Sequence, residues 1–460
     1  MKKTAAKLLA LLLVSAMMLP ALAGCKKPGG EESGSVNEST ASGQESNSGT
    51  ESKGGEEETS QATDPGEESA QSGNTESGSG EESGTAMEMP EVCLPSGIVY
   101  NVDHQYFYGV GYVEDQMNNR VTVEQAVYLI KSLGCRSVRV WASCITSSHA
   151  MDSWRVERLH DLVGKLKSAG IQVIFTFYSF ESPEKGGLTT FIPRRNLTAG
   201  SNYMKALQNW EDMTYMVIKE FPEVDYWELG NEWNHTGALN PTDYNPDGTG
   251  GDAFTLKEKA DISTDLIQLT MKSARRAGSK ATMLLPAMAP SDGMDGISMT
   301  DYLEFIYQNI ESGDWGSTKR SDFFDALAWH PYCWSSAVDL NWVSNNNRVY
   351  MVAVNHGDAG IPVYLTEMGY SDGGNERADL QQAEWMVAAY DMIKKYMPYV
   401  ESLHYYRMFT DTSRGEDRYG LINQPEDGFG PKHKGEAYQK MTGGTGDLWK
   451  FYMPLDEEDE

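Results

Sequence analysis

Glu232 and Glu367 each close a short apolar run, the first in Trp227-Glu228-Leu229-Gly230-Asn231-Glu232 and the second in Leu365-Thr366-Glu367. Two carboxyl groups brought to one place divide proton work between them. The charge of one raises the proton affinity of the other, so a protonated acid can sit beside an ionised partner. Arg139 lies in a further run of this kind, and Trp329-His330-Pro331-Tyr332 ends another. A third carboxylate, Glu228, has the same parity as Glu232 in an extended strand and therefore faces the same side, about 13 Å deeper at roughly 3.3 Å per residue. It reads as a buried, paired structural carboxylate. Arg139 can serve either as its partner or as the support of Glu367, and His330 can equally be a core histidine bonded to backbone.

The elements that must position these groups alternate. Beyond residue 100, amphipathic stretches alternate with short runs rich in Val, Ile, Phe and Tyr, the pattern of repeated βα units. Val123, Ala126, Val127 and Ile130 mark one helical face, Gly134 closes it, and residues 137 to 141 follow as a strand. Leu159, Leu162, Val163 and Leu166 mark the next helix, closed by Gly170 before a strand at 172 to 177, and Gly278 and Gly360 repeat the device. The remaining apolar runs give strands near 106 to 111, 225 to 231, 282 to 285, 325 to 330, 362 to 367 and 400 to 409. Eight such units, with no Gly-rich phosphate loop after the first, predict an α/β fold of the closed (β/α)8 TIM barrel type rather than an open doubly wound sheet. In such barrels the reacting groups lie at the C-terminal ends of strands, where these residues fall.

At these strand ends the sequence resembles clan A glycoside hydrolases, particularly the cellulase-like and β-xylosidase-like families, over most of residues 105 to 440. Asn231-Glu232 closing strand four matches the clan's substrate-binding asparagine and acid/base. Thr366-Glu367, with Gly369 just after, matches its nucleophile. His330 and Tyr332 match the His-x-Tyr at strand six, and Arg139 the arginine of strand two. The resemblance implies a retaining O-glycosyl hydrolase in which Glu367 is ionised, supported by Arg139 and Tyr332, while Glu232 carries a proton raised by the neighbouring charge. It implies that Asn231 bonds the sugar 2-hydroxyl. Sugar faces stack on aromatic rings, so the loops nominate Trp141, Trp233, Trp334 and Tyr406 as substrate-binding, together with Tyr178, Tyr370 and Tyr405. Two departures from the family pattern stand out: Trp233 where proline is common, and Tyr405-Tyr406 where a platform tryptophan is usual. Neither glycan, linkage nor endo against exo action is specified, and no cofactor is implied.

The N-terminal region has a different character. Lys2, Lys3 and Lys7, the apolar run Leu8 to Leu19 and Leu22-Ala23-Gly24-Cys25 read as a secretory signal over residues 1 to 25. Its end resembles a bacterial lipobox, which implies lipidation of Cys25 and anchorage to the outer face of the membrane. Residues 26 to 90, almost wholly Ser, Gly, Glu, Thr, Gln and Asn and without Tyr, Phe or Trp, read as a disordered tether. Residues 91 to 460 then form the catalytic barrel. The formal charge is −29, and the acidic excess persists beyond the tether, which argues against nucleic acid as partner. A glycan partner and a monomer fit better. Cys93, Cys135, Cys144 and Cys333 permit disulfides without fixing their pairing. No CxxC pair suggests zinc, and no His-x-His suggests a metal-dependent barrel hydrolase. Asp243 to Asp252 begins like a calcium loop but has Phe254 where the bidentate glutamate belongs. The competing reading is a non-catalytic carbohydrate-binding or solute-binding lipoprotein.

Overall fold

The computed structural model describes residues 105–111, 121–245, 247–290, 297–333, 336–410, 418–423 and 430–449. The chain divides into two units, Met1–Glu88 and Met89–Glu460, and every described residue lies in the second. The signal segment with Cys25, the tether, Cys93 and Trp334 lie outside the described residues.

Eight parallel strands form one sheet: β1 (Tyr108–Gly111), β2 (Ser137–Trp141), β3 (Gln172–Thr176), β4 (Tyr226–Glu228), β5 (Thr282–Leu284), β6 (Leu327–Trp329), β7 (Val363–Met368) and β8 (Val400–Tyr405). Their spatial order is β5-β4-β3-β2-β1-β8-β7-β6, and the parallel bridges Leu284 to Ala326 and Met288 to Trp329 join the two ends. This is the (β/α)8 barrel that the repeating units predict. Helices α1 (Val123–Ser132), α2 (Ser153–Ser168), α3 (Asn202–Glu220), α4 (Leu256–Ala277), α5 (Ile297–Ser312), α6 (Leu340–Asn355), α7 (Glu376–Tyr396) and α8 (His433–Thr442) follow the strands in turn.

Local chemistry explains the joints. Thr122 with Gln125 and Thr255 with Glu258 form reciprocal capping boxes that start α1 and α4. Gly134, Gly170 and Gly278 have φ between 71° and 74°, the left-handed conformation that ends a helix cheaply when no Cβ is present; at the end of α6 that place belongs to Gly357, and Gly360 turns the loop before β7.

Along each strand, side chains alternate between two environments. Val138 and Val140 face outward and pack in the main core with Ala126 and Ile130 of α1. Inside the barrel, Ile174, Leu284, Ala326, Ala328 and Tyr364, with Tyr226, form a small apolar plug. Two residues further along the same strands the inward positions become polar: Ile174 gives way to Thr176, Tyr226 to Glu228 and Tyr364 to Thr366. The switch occurs at one level, because register pairs Ile174 with Tyr226 and Thr176 with Glu228. One end of the barrel is thus a filled core, and the other is a polar cup.

The three described cysteines are buried free thiols. Burial pushes Cys135 and Cys144 up to about 12, so both stay protonated.

Packing inside the cup leaves little slack at Gly109, where a Cβ would lie 2.3 Å from the ring of His404. That ring is fixed by a 2.8 Å hydrogen bond to Ser137 Oγ. Gly109→Ala is expected to cost about 3 kcal/mol through overpacking. Gly170→Ala, with φ of 73° but open space around it, should cost about 1–2 kcal/mol. Urea denaturation of the two variants gives the comparison, and equal costs would show that the interior yields.

Candidate active site

The guanidinium of Arg139, on β2 and 1% exposed, is the centre of the polar cup. Its Nη2 lies 2.5 Å from Glu228 Oε2, and its Nε donates to the same oxygen at 2.7 Å. Nη1 donates to Glu367 Oε1 at 2.5 Å, and Nη2 also reaches Asn231 Oδ1 at 2.8 Å. The two roles that the sequence left open for Arg139 are therefore filled together. Glu228 is a buried structural carboxylate, as its position predicts, and it accepts further bonds from Thr176 Oγ1 at 2.6 Å and Thr366 Oγ1 at 2.5 Å.

Glu367 reaches this guanidinium because β7 slips register between Leu365 and Met368, which turns the residue after Thr366 into the cup as well. Its other oxygen, Oε2, accepts from the Tyr332 hydroxyl at 2.9 Å. Burial and the Glu367 charge hold that phenol well above its ordinary range, so it remains a donor.

Glu232 gets there by a different route from the one strand parity predicts. Strand β4 ends at Glu228, where the sequence reading extended it to 231. A Cβ at Gly230 would stand 2.3 Å from the Trp233 ring, so glycine lets the chain fold back over that indole. Asn231 then bridges to Ala287, and Glu232 adopts φ of 53° with its N–H bonded to Ala287 O at 2.7 Å. The parallel pairing of Glu228 with Leu284 continues in register to Asn231 with Ala287, and the extended path breaks at Glu232, whose left-handed backbone rather than strand parity sets where its carboxyl points. A carboxylate oxygen of Glu232, one of Glu367 and a ring nitrogen of His330 lie within 4.8 Å of one another.

His330 is fully buried, and its Nδ1 shares a 2.8 Å hydrogen bond with Glu232 Oε1, with Glu367 Oε2 at 3.7 Å. It is thus a member of the site rather than a backbone-bonded core histidine. Burial opposes charge on the ring, but the Glu367 and Glu232 carboxylates outweigh it and raise its proton affinity. Burial likewise works against charge on Glu232, but the His330 hydrogen bond and charge, with His235 and Arg139, hold it below the usual carboxylate range. This corrects the expectation of a raised Glu232. The sequence reading weighed the neighbouring carboxylate and not the imidazole.

The aromatic candidates divide. Tyr332 and Tyr406 pack together, flanked by Trp141 and by Tyr419, which the sequence gave no periodic signal to find. Trp141 lies over Arg139, 5.0 Å from ring centroid to guanidinium, and meets the exposed Tyr178 edge-on at 4.7 Å. Trp233, expected in the cleft, is instead 2% exposed and packs against Trp210 and Phe180 in the core. Tyr370 and Tyr405 are also fully buried.

The suspected calcium loop is occupied by a side chain. Arg194 donates from Nε to Asp243 Oδ2 at 3.1 Å and from Nη2 to Asp252 O at 2.7 Å, so two oxygens that the loop would offer a metal already accept from a guanidinium.

Comparison with known proteins bears on the scaffold. No family model matches the chain, and no curated protein matches its sequence. Among solved structures, the barrel is similar to the family 1 β-glucosidase of Thermotoga maritima in complex with isofagomine lactam. The identity is 12%, covering 74% of this chain and 98% of that one, with a TM-score of 0.50. A glucosidase from Croceicoccus marinus is 15% identical over 74% of this chain and 67% of its own, with a TM-score of 0.48. The AHE enzyme of Alicyclobacillus herbarius is 10% identical over 74% and 97%, also at 0.48. The likeness is one of fold, the (β/α)8 barrel.

Because the folded value of His330 is raised above the unfolded one of about 6.5, its contribution to stability is full below that pH and fades as pH rises through the folded value. Removing an anion should lower it. In Glu232→Gln the ring nitrogens, followed by 15N NMR, are expected to titrate at lower pH than in the wild type. An unchanged midpoint would break the coupling.

Proposed function

We propose that this chain is an exported, membrane-tethered glycoside hydrolase that cleaves β-glycosidic bonds in a polysaccharide or oligosaccharide with retention. Glu367 attacks the anomeric carbon, and Glu232 serves first as acid and then as base. The observation that carries the reading is the gathering of Glu232, Glu367 and His330 within 4.8 Å at the polar end of a barrel. Double displacement uses carboxyl groups about 5–5.5 Å apart, whereas single displacement needs roughly 6.5–9.5 Å to admit a water between acid and base.

In the first step a Glu367 oxygen bonds to the anomeric carbon while the bond to the leaving oxygen breaks. That oxygen takes the proton held between Glu232 and His330. In the second step, water gives a proton to Glu232 and bonds to the anomeric carbon, the ester breaks, and Glu367 regains its charge. Arg139 and Tyr332 stabilise that returning charge through the bonds they already make. Asn231 Oδ1 is taken by Arg139, which leaves its amide N–H groups to meet a sugar hydroxyl. Tyr406, Tyr332 and Trp141 supply apolar surface beside it. Lys2, Lys3, Lys7 and the stretch ending in Cys25 support export and lipid anchorage, and residues 26 to 90 support a long tether.

The same three residues have the spacing of a metal-binding group, which favours a metal-dependent hydrolase as second reading. Arg139 argues against it. Both oxygens of Glu367 already accept hydrogen bonds, and a guanidinium 2.5 Å away repels a further cation. A purely binding role has no use for a proton shared between His330 and Glu232.

The test is reducing-sugar release by the full chain from β-glucans, mannans, xylans and galactans, beside Glu232→Ala and Glu367→Ala. Release by the wild type should fall on the order of 10²–10⁴-fold in Glu232→Ala. On an activated aryl glycoside, where departure needs no proton, azide should accelerate turnover by that variant and yield the glycosyl azide with the original anomeric configuration. Inverted product, or glycan binding with no release by the wild type, would sink the mechanism. EDTA should leave the rate unchanged, and a loss restored by a divalent ion would favour the metal reading.

A further inference from the structure

The turn that carries Glu232 is held at several points. Asn234 exchanges two hydrogen bonds with Ala289, Nδ2 to O at 2.7 Å and N to Oδ1 at 2.9 Å, and Asn240 Nδ2 donates to Thr236 O at 2.8 Å. Two residues in it have left-handed backbone without being glycine, Glu232 at φ 53° and Leu239 at φ 47°. Each conformation is disfavoured for a residue with a Cβ and persists when the surroundings enforce it. Between those two residues the chain bonds to a lysine from another element. Lys259, on α4 and 3% exposed, donates from Nζ to His235 O at 2.5 Å and to Ala238 O.

We propose that Lys259 is a positioning residue for Glu232: its ammonium holds the His235 and Ala238 carbonyls and so fixes the turn that aims the acid at the leaving group. The proposal rests on the reading of Glu232 as the acid. The path is short. His235 O accepts from Lys259, and His235 N donates to the Glu232 carbonyl at 2.8 Å. The lysine is a costly choice for mere filling. Burial pushes it down to about 7, it stands near the N-terminal end of α4 where the helix field opposes a cation, and methionine of similar length would avoid both costs. Its ammonium bonds carbonyls and not the carboxylate, so it acts by placing Glu232.

A misplaced acid has a specific signature, because a leaving group that departs as a stable phenolate needs no proton. The full chain, wild type, Lys259→Met, Lys259→Gln and Glu232→Ala, is assayed for kcat/KM on the 2,4-dinitrophenyl and methyl β-glycosides of the sugar that the glycan panel identifies. Lys259→Met should lose roughly 10- to 100-fold on the methyl glycoside and stay within about twofold on the dinitrophenyl one. Lys259→Gln, which keeps a donor for one carbonyl, should fall between and carries the test if the methionine variant does not fold. Equal losses on both substrates, or none on either, would overturn the positioning role. Glu232→Ala separates the two ideas. Selectivity in that variant but not in the lysine variants overturns the positioning alone, and selectivity in neither overturns the acid assignment and the proposal with it.

Discussion

One guanidinium ties the reacting end of this barrel together. Arg139 touches Glu228 and Asn231 at the end of β4 and Glu367 on β7 at once. A carboxylate as buried as Glu228 is tolerated when it is paired and its remaining lone pairs are bonded, which Arg139, Thr176 and Thr366 accomplish. Glu228 in turn anchors the arginine, so that Glu367 meets a cation already fixed in place. Such preorganisation costs no rearrangement when charge moves, which is why the floor of the cup needs its structural carboxylate as much as its reactive one.

Much of this was legible in the chain. Gly134, Gly170 and Gly278 announced helix ends and take the left-handed conformation there, whereas Gly360 lies in the loop beyond α6, which stops at Asn355 with Gly357 just past its cap. Strands β2 and β3 begin where alternating Val, Ile and Phe place them, since period-two patterning follows from burial on two sides of a sheet. The pairing of Glu228 was also readable, from its depth along a strand. The failures share a cause. Trp233 lies inward because its indole packs against Gly230, and Glu232 takes a left-handed backbone, and no periodicity encodes either. A residue at positive φ no longer follows the alternation of the strand before it. Tyr419 and Lys259 escaped for a related reason: each acts across elements distant in sequence.

Glu232 and Glu367 illustrate two ways of delivering a carboxylate to one spot. Glu367 is brought by an irregularity within a strand, and its partners Arg139 and Tyr332 hold both of its oxygens. Glu232 hangs on a turn, with a quarter of its side chain open to solvent and one oxygen bonded to His330. The first arrangement suits a group that must stay ionised and still. The second suits a group that passes a proton outward.

The apolar plug of Ile174, Leu284, Ala326, Ala328, Tyr364 and Tyr226 gives the cup a sealed base. A vessel with a sealed base has a single doorway, so everything that enters or leaves must queue there. Under the proposed double displacement, the departing half of the substrate has to clear the threshold before water can follow by the same route, and any other hydroxyl-bearing molecule waiting there competes with water for the intermediate. The filling of the barrel's lower half, which exists to stabilise the fold, thereby sets the order of traffic at its upper rim.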